Sequence, residues 1–290
     1  MQLADLYAYT GGKPFDPARP CVVFLHGAQH DHSVWILQSR ALAHRGFSVL
    51  ALDLPGHGRS AGPAEASIEA IAERVATALA PLASPCFVLV GHSMGSLLAL
   101  ELAVRLGERA AGVALVATAA PMKVSDALLT ATREDPAAAL QMINLWSHSA
   151  SITPFAVRPG APGPGFNVLW QNLRLMQRVA SVNGAAVLPT DFAACNAYGA
   201  GLERARALSC PTLFVLGGAD QMTPPKAARA LIDACADKTV VSLPATGHAV
   251  MTENPDGLRR ALEQFVARVT LARTAATPRP RPLEPDQRAS

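Results

Sequence analysis

Ser93 stands between Gly91 and Gly95 in the stretch "CFVLVGHSMGSLLALELA", Cys86–Ala103. An apolar run precedes the first glycine and a Leu/Ala-rich helical stretch follows the second. A G-x-S-x-G turn between a strand and a helix forces its serine into a strained backbone. It leaves the hydroxyl exposed at the C-terminal edge of a sheet. Gly91 and Gly95 are read as sites where a side chain would clash as strand and helix pack closely. The hydroxyl also lies by a helix N-terminus, whose partial positive charge favours developing negative charge. The chemistry that suits such a residue is nucleophilic attack on an acyl carbon.

A serine hydroxyl is a weak nucleophile at neutral pH. It needs a base, and the base needs an orienting acid. On such a sheet the chain order is serine, then acid, then histidine. Asp220 follows an apolar run in "LFVLGGADQMTPP", and His248 follows the next one in "SLPATGHAVMTENP". Parallel strands end at one sheet edge, so both loops should emerge beside Ser93. His248 is read as general base and then acid, and Asp220 as the group that fixes its tautomer. Thr223 is read as a helix cap. Asp53 precedes the serine and belongs to the turn "DLPGHGRS", while Asp126 and Asp191 lie outside the strand rhythm, so each ranks below Asp220. His92 is read as packing behind the turn and His57 as structural; His44 and His148 carry no signal.

Acyl transfer also needs donors for the tetrahedral oxyanion. The backbone N–H of Met94, directly after the nucleophile, is one. The second is expected from "VFLHGAQHDHSVW": the N–H of Ala28, with Gln29 as the alternative. Gly27 allows close backbone approach, His26 holds the loop, and His30 and His32 are read as loop-surface residues.

The elements that must position these groups alternate. Compact apolar runs at Cys21–Leu25, Phe47–Leu54, Cys86–Gly91, Ala111–Ala117, Thr212–Gly217 and Thr239–Leu243 suit strands covered on both faces. Between them lie helical patterns. One starts after Ser67 as N-cap, and the last has Asn254 as cap with Pro255 in first position. The reading is an α/β doubly wound, mostly parallel sheet. The rhythm breaks at Pro121 and resumes at Thr212. Residues 121–207 are therefore expected to form a mainly helical insertion with a Pro/Gly-rich bend at Arg158–Gly165. The core is expected to span 1–120 and 208–271. The Pro/Arg-rich tail, 272–290, has the composition of a disordered segment.

The chain has 290 residues, half of them apolar and 16% charged, which is ample for a buried core. The net charge is +3, and no basic patch with interleaved aromatics is present, which excludes a nucleic-acid reading. Five scattered cysteines form no CxxC pair and read as free buried thiols, so no metal site is expected. The N-terminus lacks a signal-peptide pattern and no apolar run is long enough to span a bilayer. A reducing cytoplasm is the expected compartment.

Taken together, the "FLHGAQ", "DLPGHGRS", "GHSMGS", "GGADQMTPP" and "TGHAVMTENP" motifs resemble the α/β-hydrolase superfamily over residues 20–120 and 208–270. The resemblance implies a Ser93–Asp220–His248 triad, no cofactor, and a helical cap over the site. Its epoxide hydrolases and haloalkane dehalogenases use an Asp nucleophile, which Ser93 argues against. The carbon–carbon bond hydrolases of aromatic degradation commonly carry Asn where His92 stands. The expected activity is therefore a serine esterase or lactonase working through an acyl-enzyme. The alternative is a carbon–carbon hydrolase acting on vinylogous diketones. From Leu140 to Leu202 the insertion is poor in charge and offers Met142, Leu145, Trp146, Phe155, Phe166, Trp170, Leu173, Met176 and Phe192, a lining for an apolar acyl or aryl substrate. Gln29, Trp146, Trp170 and Met176 are the expected substrate contacts. Arg174 and Arg178 are a candidate carboxylate clamp, and Asn196 and Tyr198 candidate polar pocket residues. The oligomeric state is open.

Overall fold

Eight strands form one sheet in the order β1-β2-β4-β3-β5-β6-β7-β8 in the computed structural model, which describes residues 1–149 and 164–276. The strands are β1 (Gln2–Leu3), β2 (Leu6–Tyr9), β3 (Cys21–Leu25), β4 (Ser48–Leu52), β5 (Phe87–His92), β6 (Ala110–Val116), β7 (Thr212–Gly217) and β8 (Lys238–Leu243). From β4 through β8 every pairing is parallel; β1 and β2 add an antiparallel edge. Strands β3 to β7 are buried on both faces, as their unbroken apolar runs require. The β1–β2 edge is absent from the sequence reading. Its signal is the alternation of buried Leu6 and Ala8 with half-buried Tyr7 and Tyr9, too short to stand out. Strand β8 departs from the two-sided expectation. It pairs only with β7, and Val240 is 46% exposed. An edge strand has one neighbour and less cover, whatever its apolarity.

Helices α1 (Ile36–His44), α2 (Ile68–Leu79) and α3 (Met94–Leu106) connect the first strands. Ser67 caps α2 by accepting from Ala70 N–H at 3.2 Å. Helix α3 is buried from Met94 through Ala103, which matches its apolar sequence all round. Between β6 and β7 lie α4 (Asp126–Glu134), α5 (Pro136–Trp146), α6 (Pro164–Asn183), α7 (Val187–Ala197) and α8 (Gly201–Ala207). Leu128, Leu140, Ile143, Met176, Leu188 and Phe192 form a separate apolar cluster among these inserted helices. Of the bend expected at Arg158–Gly165, residues 158–163 lie outside the described residues, and Pro164 already opens α6. Phe155 is outside them as well.

Helix α9 (Arg229–Ala234) precedes β8, and α10 (Val250–Glu253) and α11 (Pro255–Ala276) follow it. Asn254 Oδ1 accepts from Gly257 N–H at 3.0 Å, so the predicted start of the last helix holds. Helix α11 runs five residues beyond the expected core boundary at 271; the rest of the tail, 277–290, is outside the described residues. All five cysteines are free and buried. Among the described residues no helix is long and apolar enough to cross a membrane.

Candidate active site

The turn between β5 and α3 is held in a backbone state that an L-residue rarely adopts: Ser93 has φ 52° and ψ −119°. Its neighbours explain how the chain tolerates it. A Cβ on Gly91 would lie 2.0 Å from the Gly95 carbonyl oxygen, and one on Gly95 would lie 2.3 Å from the Leu25 carbonyl oxygen. Strand, helix and β3 therefore meet backbone to backbone. The Ser93 N–H donates to Val116 O at 3.0 Å, and the Ser93 carbonyl accepts from Ser96 N–H at 2.8 Å and Ser96 Oγ at 2.5 Å. The side chain of Ser93 makes no capping bond. Replacing Gly95 by Ala should cost at least the upper end of the ~1–3 kcal/mol of ordinary overpacking, because the atoms it meets are backbone and cannot swing aside. Urea unfolding checks this; a midpoint equal to that of the wild type would contradict it.

The loop after β7 carries Asp220, which is 4% exposed. Its Oδ1 accepts from the N–H groups of Met222 and Thr223, each at 2.8 Å. Its Oδ2 accepts from Thr223 Oγ1 at 2.8 Å and from His248 Nδ1 at 2.9 Å. Burial would raise this carboxyl, but the adjacent His248 ring and the bonds from His248 and Thr223 outweigh it and hold the group at about 2. Asp220 is thus an anion throughout the neutral range. Thr223, expected as a helix cap, stands 3.1 Å from His248 Nδ1 and braces the same pair. With Nδ1 committed, His248 keeps Nε2 for the cavity.

His92 does more than pack. Its Nε2–H donates to the His248 carbonyl at 2.9 Å, and its Nδ1 has no partner. Burial, with the His248 ring nearby, pushes it well below the ordinary histidine value, so the ring is neutral. It fixes the backbone of His248 without a charge beside it.

The loop after β3 is pinned peptide by peptide. His26 Nε2 accepts from Leu54 N–H at 3.0 Å, and its Nδ1–H donates to the Gly27 carbonyl at 2.8 Å. Burial, with His57 nearby, drives His26 down to about 3, which keeps it neutral. Because a peptide is trans, holding the Gly27 C=O on one side aims the Ala28 N–H to the other. The Ala28 carbonyl accepts from His30 Nδ1 at 2.6 Å. Gln29 has φ 57°, and its N–H is taken by Asp191 Oδ2 at 2.7 Å. Gln29 is therefore not free as the alternative oxyanion donor, whereas the N–H groups of Ala28 and Met94 meet no acceptor among the described loop bonds.

Ser93, His248, Gly27 and Ala28 line one cavity of about 250 Å³. Its other walls are mostly apolar and come largely from the inserted helices: Val124, Leu128, Ile143, Trp146 and Phe192, joined by Met222. Of the expected substrate contacts, Trp146 lies on this wall and three do not. Gln29 is fully buried, its amide donating to the Met176 carbonyl at 3.0 Å. Met176 is itself fully buried in the cluster among the inserted helices. Trp170 is 53% exposed on the outer face of α6, beneath the Arg174 guanidinium. The sequence shows Met176 and Trp170 as apolar residues of the insertion but not which face of their helix looks inward.

The arginine clamp does not form. Arg174 faces Trp170, and Arg178 pairs with Asp31. Asn196 Oδ1 accepts from Val124 N–H at 3.1 Å, and Tyr198 donates to Glu101 at 2.9 Å; both are structural. Conversely His30, read as loop surface, is buried on the cavity wall and bonds Asn172 at 3.0 Å, which in turn donates to Asn144 at 2.9 Å. His32 bonds Asp53, which also accepts from Arg59 N–H, so that acid serves the turn after β4. Nothing local in the sequence marks His30–Asn172, a pair separated by 142 residues.

A model of the alpha/beta hydrolase family matches residues 22–261. A putative carbamate hydrolase RutD of Klebsiella pneumoniae is 26% identical over 250 residues, covering 83% of this chain and 88% of that protein. The enol-lactonase of Burkholderia xenovorans LB400 superposes with a TM-score of 0.77 at 24% identity, covering 90% of this chain and 96% of that one. A thermophilic esterase of Thermogutta terrifontis gives 0.73 at 23% identity, covering 91% and 93%. The structural likenesses carry the fold, while the family match runs from β3 into the last helix and takes in the strained serine turn and the loops that follow β7 and β8. This protein belongs to the alpha/beta hydrolase family and is a hydrolase.

Proposed function

We propose that this protein is a serine hydrolase that cleaves carboxylic esters or lactones of modest size through an acyl-enzyme. The observation that carries the reading is the meeting of Ser93, His248 and the Gly27–Ala28 loop on one cavity, with Asp220 bonded to His248 behind it. Ser93 Oγ attacks the carbonyl carbon while His248 Nε2 takes its proton. The Ala28 and Met94 N–H groups receive the oxyanion. The tetrahedral adduct collapses, the C–O bond breaks, and the proton passes from His248 to the leaving oxygen. Water, deprotonated by the same nitrogen, then releases the acid. Asp220 stays ionised and stabilises the imidazolium of each step.

The helices within 121–207 act in this reading as a cap, closing the acyl side over a core of residues 1–120 and 208–271. The wall of Val124, Leu128, Ile143, Trp146 and Phe192 suits an apolar acyl or aryl group. A space of about 250 Å³ is below the ~300–1,000 Å³ usual for drug-sized ligands, which favours short acyl chains. The esterase and enol-lactonase likenesses and the carbamate hydrolase relative agree with acyl chemistry.

Two measurements test this. A fluorophosphonate should label the protein once, on Ser93, as read by peptide mass; no adduct overturns the reading. Among p-nitrophenyl esters, kcat/KM should fall on the order of tenfold or more from butyrate to laurate, as the chain outgrows the wall. Turnover of a vinylogous diketone with none of these esters would favour the carbon–carbon hydrolase instead.

A further inference from the structure

One buried ion pair beside the site has no part in the steps above. Asp191 of α7 and His57 of the turn after β4 meet at 2.9 Å, each side chain 1% exposed. The Asp191 oxygen that meets His57 also accepts the Gln29 N–H, across 162 residues of sequence. His57 Nδ1 faces the Pro55 carbonyl at 3.0 Å. Both ring nitrogens thus face oxygen, which an imidazole satisfies only when it carries both N–H protons. Burial would lower His57, but the Asp191 charge and bond, with Asp53 and the Pro55 carbonyl adding, raise it above its ordinary value. The neighbouring His26 is neutral and opposes this only weakly. A doubly protonated His57 against Asp191 would satisfy both ring nitrogens and leave no net charge out of water.

The bond to Gln29 falls where the loop is strained. An L-residue at φ 57° persists only when its surroundings hold it there. Released, Gln29 relaxes toward negative φ and turns the Ala28–Gln29 peptide, which is joined through the Ala28 Cα to the peptide that carries the Ala28 N–H. The other Asp191 oxygen, Oδ1, is buried with no partner among the described residues. A half-satisfied buried carboxylate is a poor choice for packing alone, since an apolar residue of similar volume would serve as well or better.

We propose that Asp191 is a positioning residue for the oxyanion hole, with His57 as its countercharge. Helix α7 docks its carboxylate onto the Gln29 N–H, so seating of the inserted helices and assembly of the hole are one event. This rests on the serine-hydrolase reading above. Asp191 touches neither substrate nor reacting atoms; it acts through the Gln29 and Ala28 peptides.

The test is Asp191→Leu, which keeps much of the volume and removes both acceptor oxygens. Loss of an oxyanion donor costs on the order of 10²–10³ in rate, so a misaimed one should cost on the order of 10–10² in kcat on a short ester. KM should stay within about threefold, since ground-state binding is untouched. Affinity for a trifluoromethyl ketone, which forms a tetrahedral adduct on Ser93, should fall by the same factor as kcat. His57→Gln should reproduce the loss, and the double variant should be no worse than either single one, because both remove one device.

A folded Asp191→Leu protein with kcat and adduct affinity within about twofold of the wild type overturns the proposal, as does additive loss in the double variant. If the variants do not fold, the wild type decides. Ring ¹⁵N shifts at pH 6.5 should show His57 mostly doubly protonated, and a ring that is mostly neutral there overturns it. Failure of wild-type Ser93 to label with fluorophosphonate would instead sink the underlying hydrolase mechanism. Normal labelling beside a fully active Asp191→Leu protein sinks only this inference.

Discussion

Ser93→Ala is expected to lower kcat on short esters by on the order of 10⁶ while leaving the fold intact. The size of the loss follows from what remains. Without Oγ no acyl-enzyme forms, and His248 has no hydroxyl to deprotonate. The Ala28 and Met94 N–H groups can still polarise a bound carbonyl, which leaves a residual ~10³–10⁴ over water. The intact fold follows from the turn itself. The Ser93 side chain makes no capping bond, and the turn is held by backbone bonds to Val116 and Ser96 and by the two glycines, none of which the substitution removes. Ala must occupy the same φ of 52°, but Ser already bears that strain with its own Cβ. Steady-state kinetics and a thermal melt together make the check. Activity near wild type would falsify the nucleophile assignment, and a melt lowered by many degrees would contradict the account of the turn.

Asp220→Asn is expected to lower kcat by on the order of 10⁴. Asn Oδ1 can keep accepting from the Met222 and Thr223 N–H groups, so the loop retains its shape. The atom facing His248 then becomes an amide donor in place of Oδ2. The ring is driven to the tautomer with its proton on Nε2, which cannot take a proton from Ser93. The developing imidazolium also loses its counterion. Thr223 Oγ1, 3.1 Å away, offers a neutral oxygen in partial compensation but no charge. An effect below about tenfold would mean that another acid orients His248. Asp53 and Asp191 are excluded from that role by their own bonds to His32 and His57.

The same substitution has a signature in stability. The Asp220 carboxyl lies at about 2 in the folded protein against about 3.9 in an unfolded chain. A depressed carboxyl stabilises the fold above the unfolded value, and that contribution is lost as pH falls through the folded one. The difference is worth on the order of 2–3 kcal/mol at neutral pH. The stability gap between wild type and Asp220→Asn should therefore narrow steadily from pH 5 to pH 2 in urea titrations. A gap constant over that range would show that Asp220 is not held down by its partners.

The chemistry-bearing residues were legible because their signals are local. Ser93 between two glycines, Asp220 just past β7 and His248 just past β8 each sit at the end of an apolar run. Strand ends in a parallel sheet gather at one edge, so chain order alone predicts that the three loops meet. The place of Ala28, in the loop just past β3 on the same cavity, follows from the same logic. The short β1–β2 hairpin was not legible, because two to four residues carry too little periodicity to register.

Apolar content was legible in the inserted helices, but direction was not. Trp146 and Trp170 read alike in the sequence, yet one lines the cavity and the other stands 53% exposed beside Arg174. Which face of a helix looks inward depends on the neighbours it packs against, and those neighbours lie tens of residues away.

The sequence by itself determined the alternation of strands and helices, the strained serine turn and the order in which Ser93, Asp220 and His248 follow their strands. All of these are set by sterics and periodicity within a few residues. Only the tertiary structure decided that His30 faces the cavity, that Arg178 serves Asp31 rather than a substrate, and that Asp191 and His57 form a second acid–histidine pair. The two ion pairs join residues 147 and 134 positions apart, and a buried charge finds its partner through the packing of whole elements rather than through spacing along the chain.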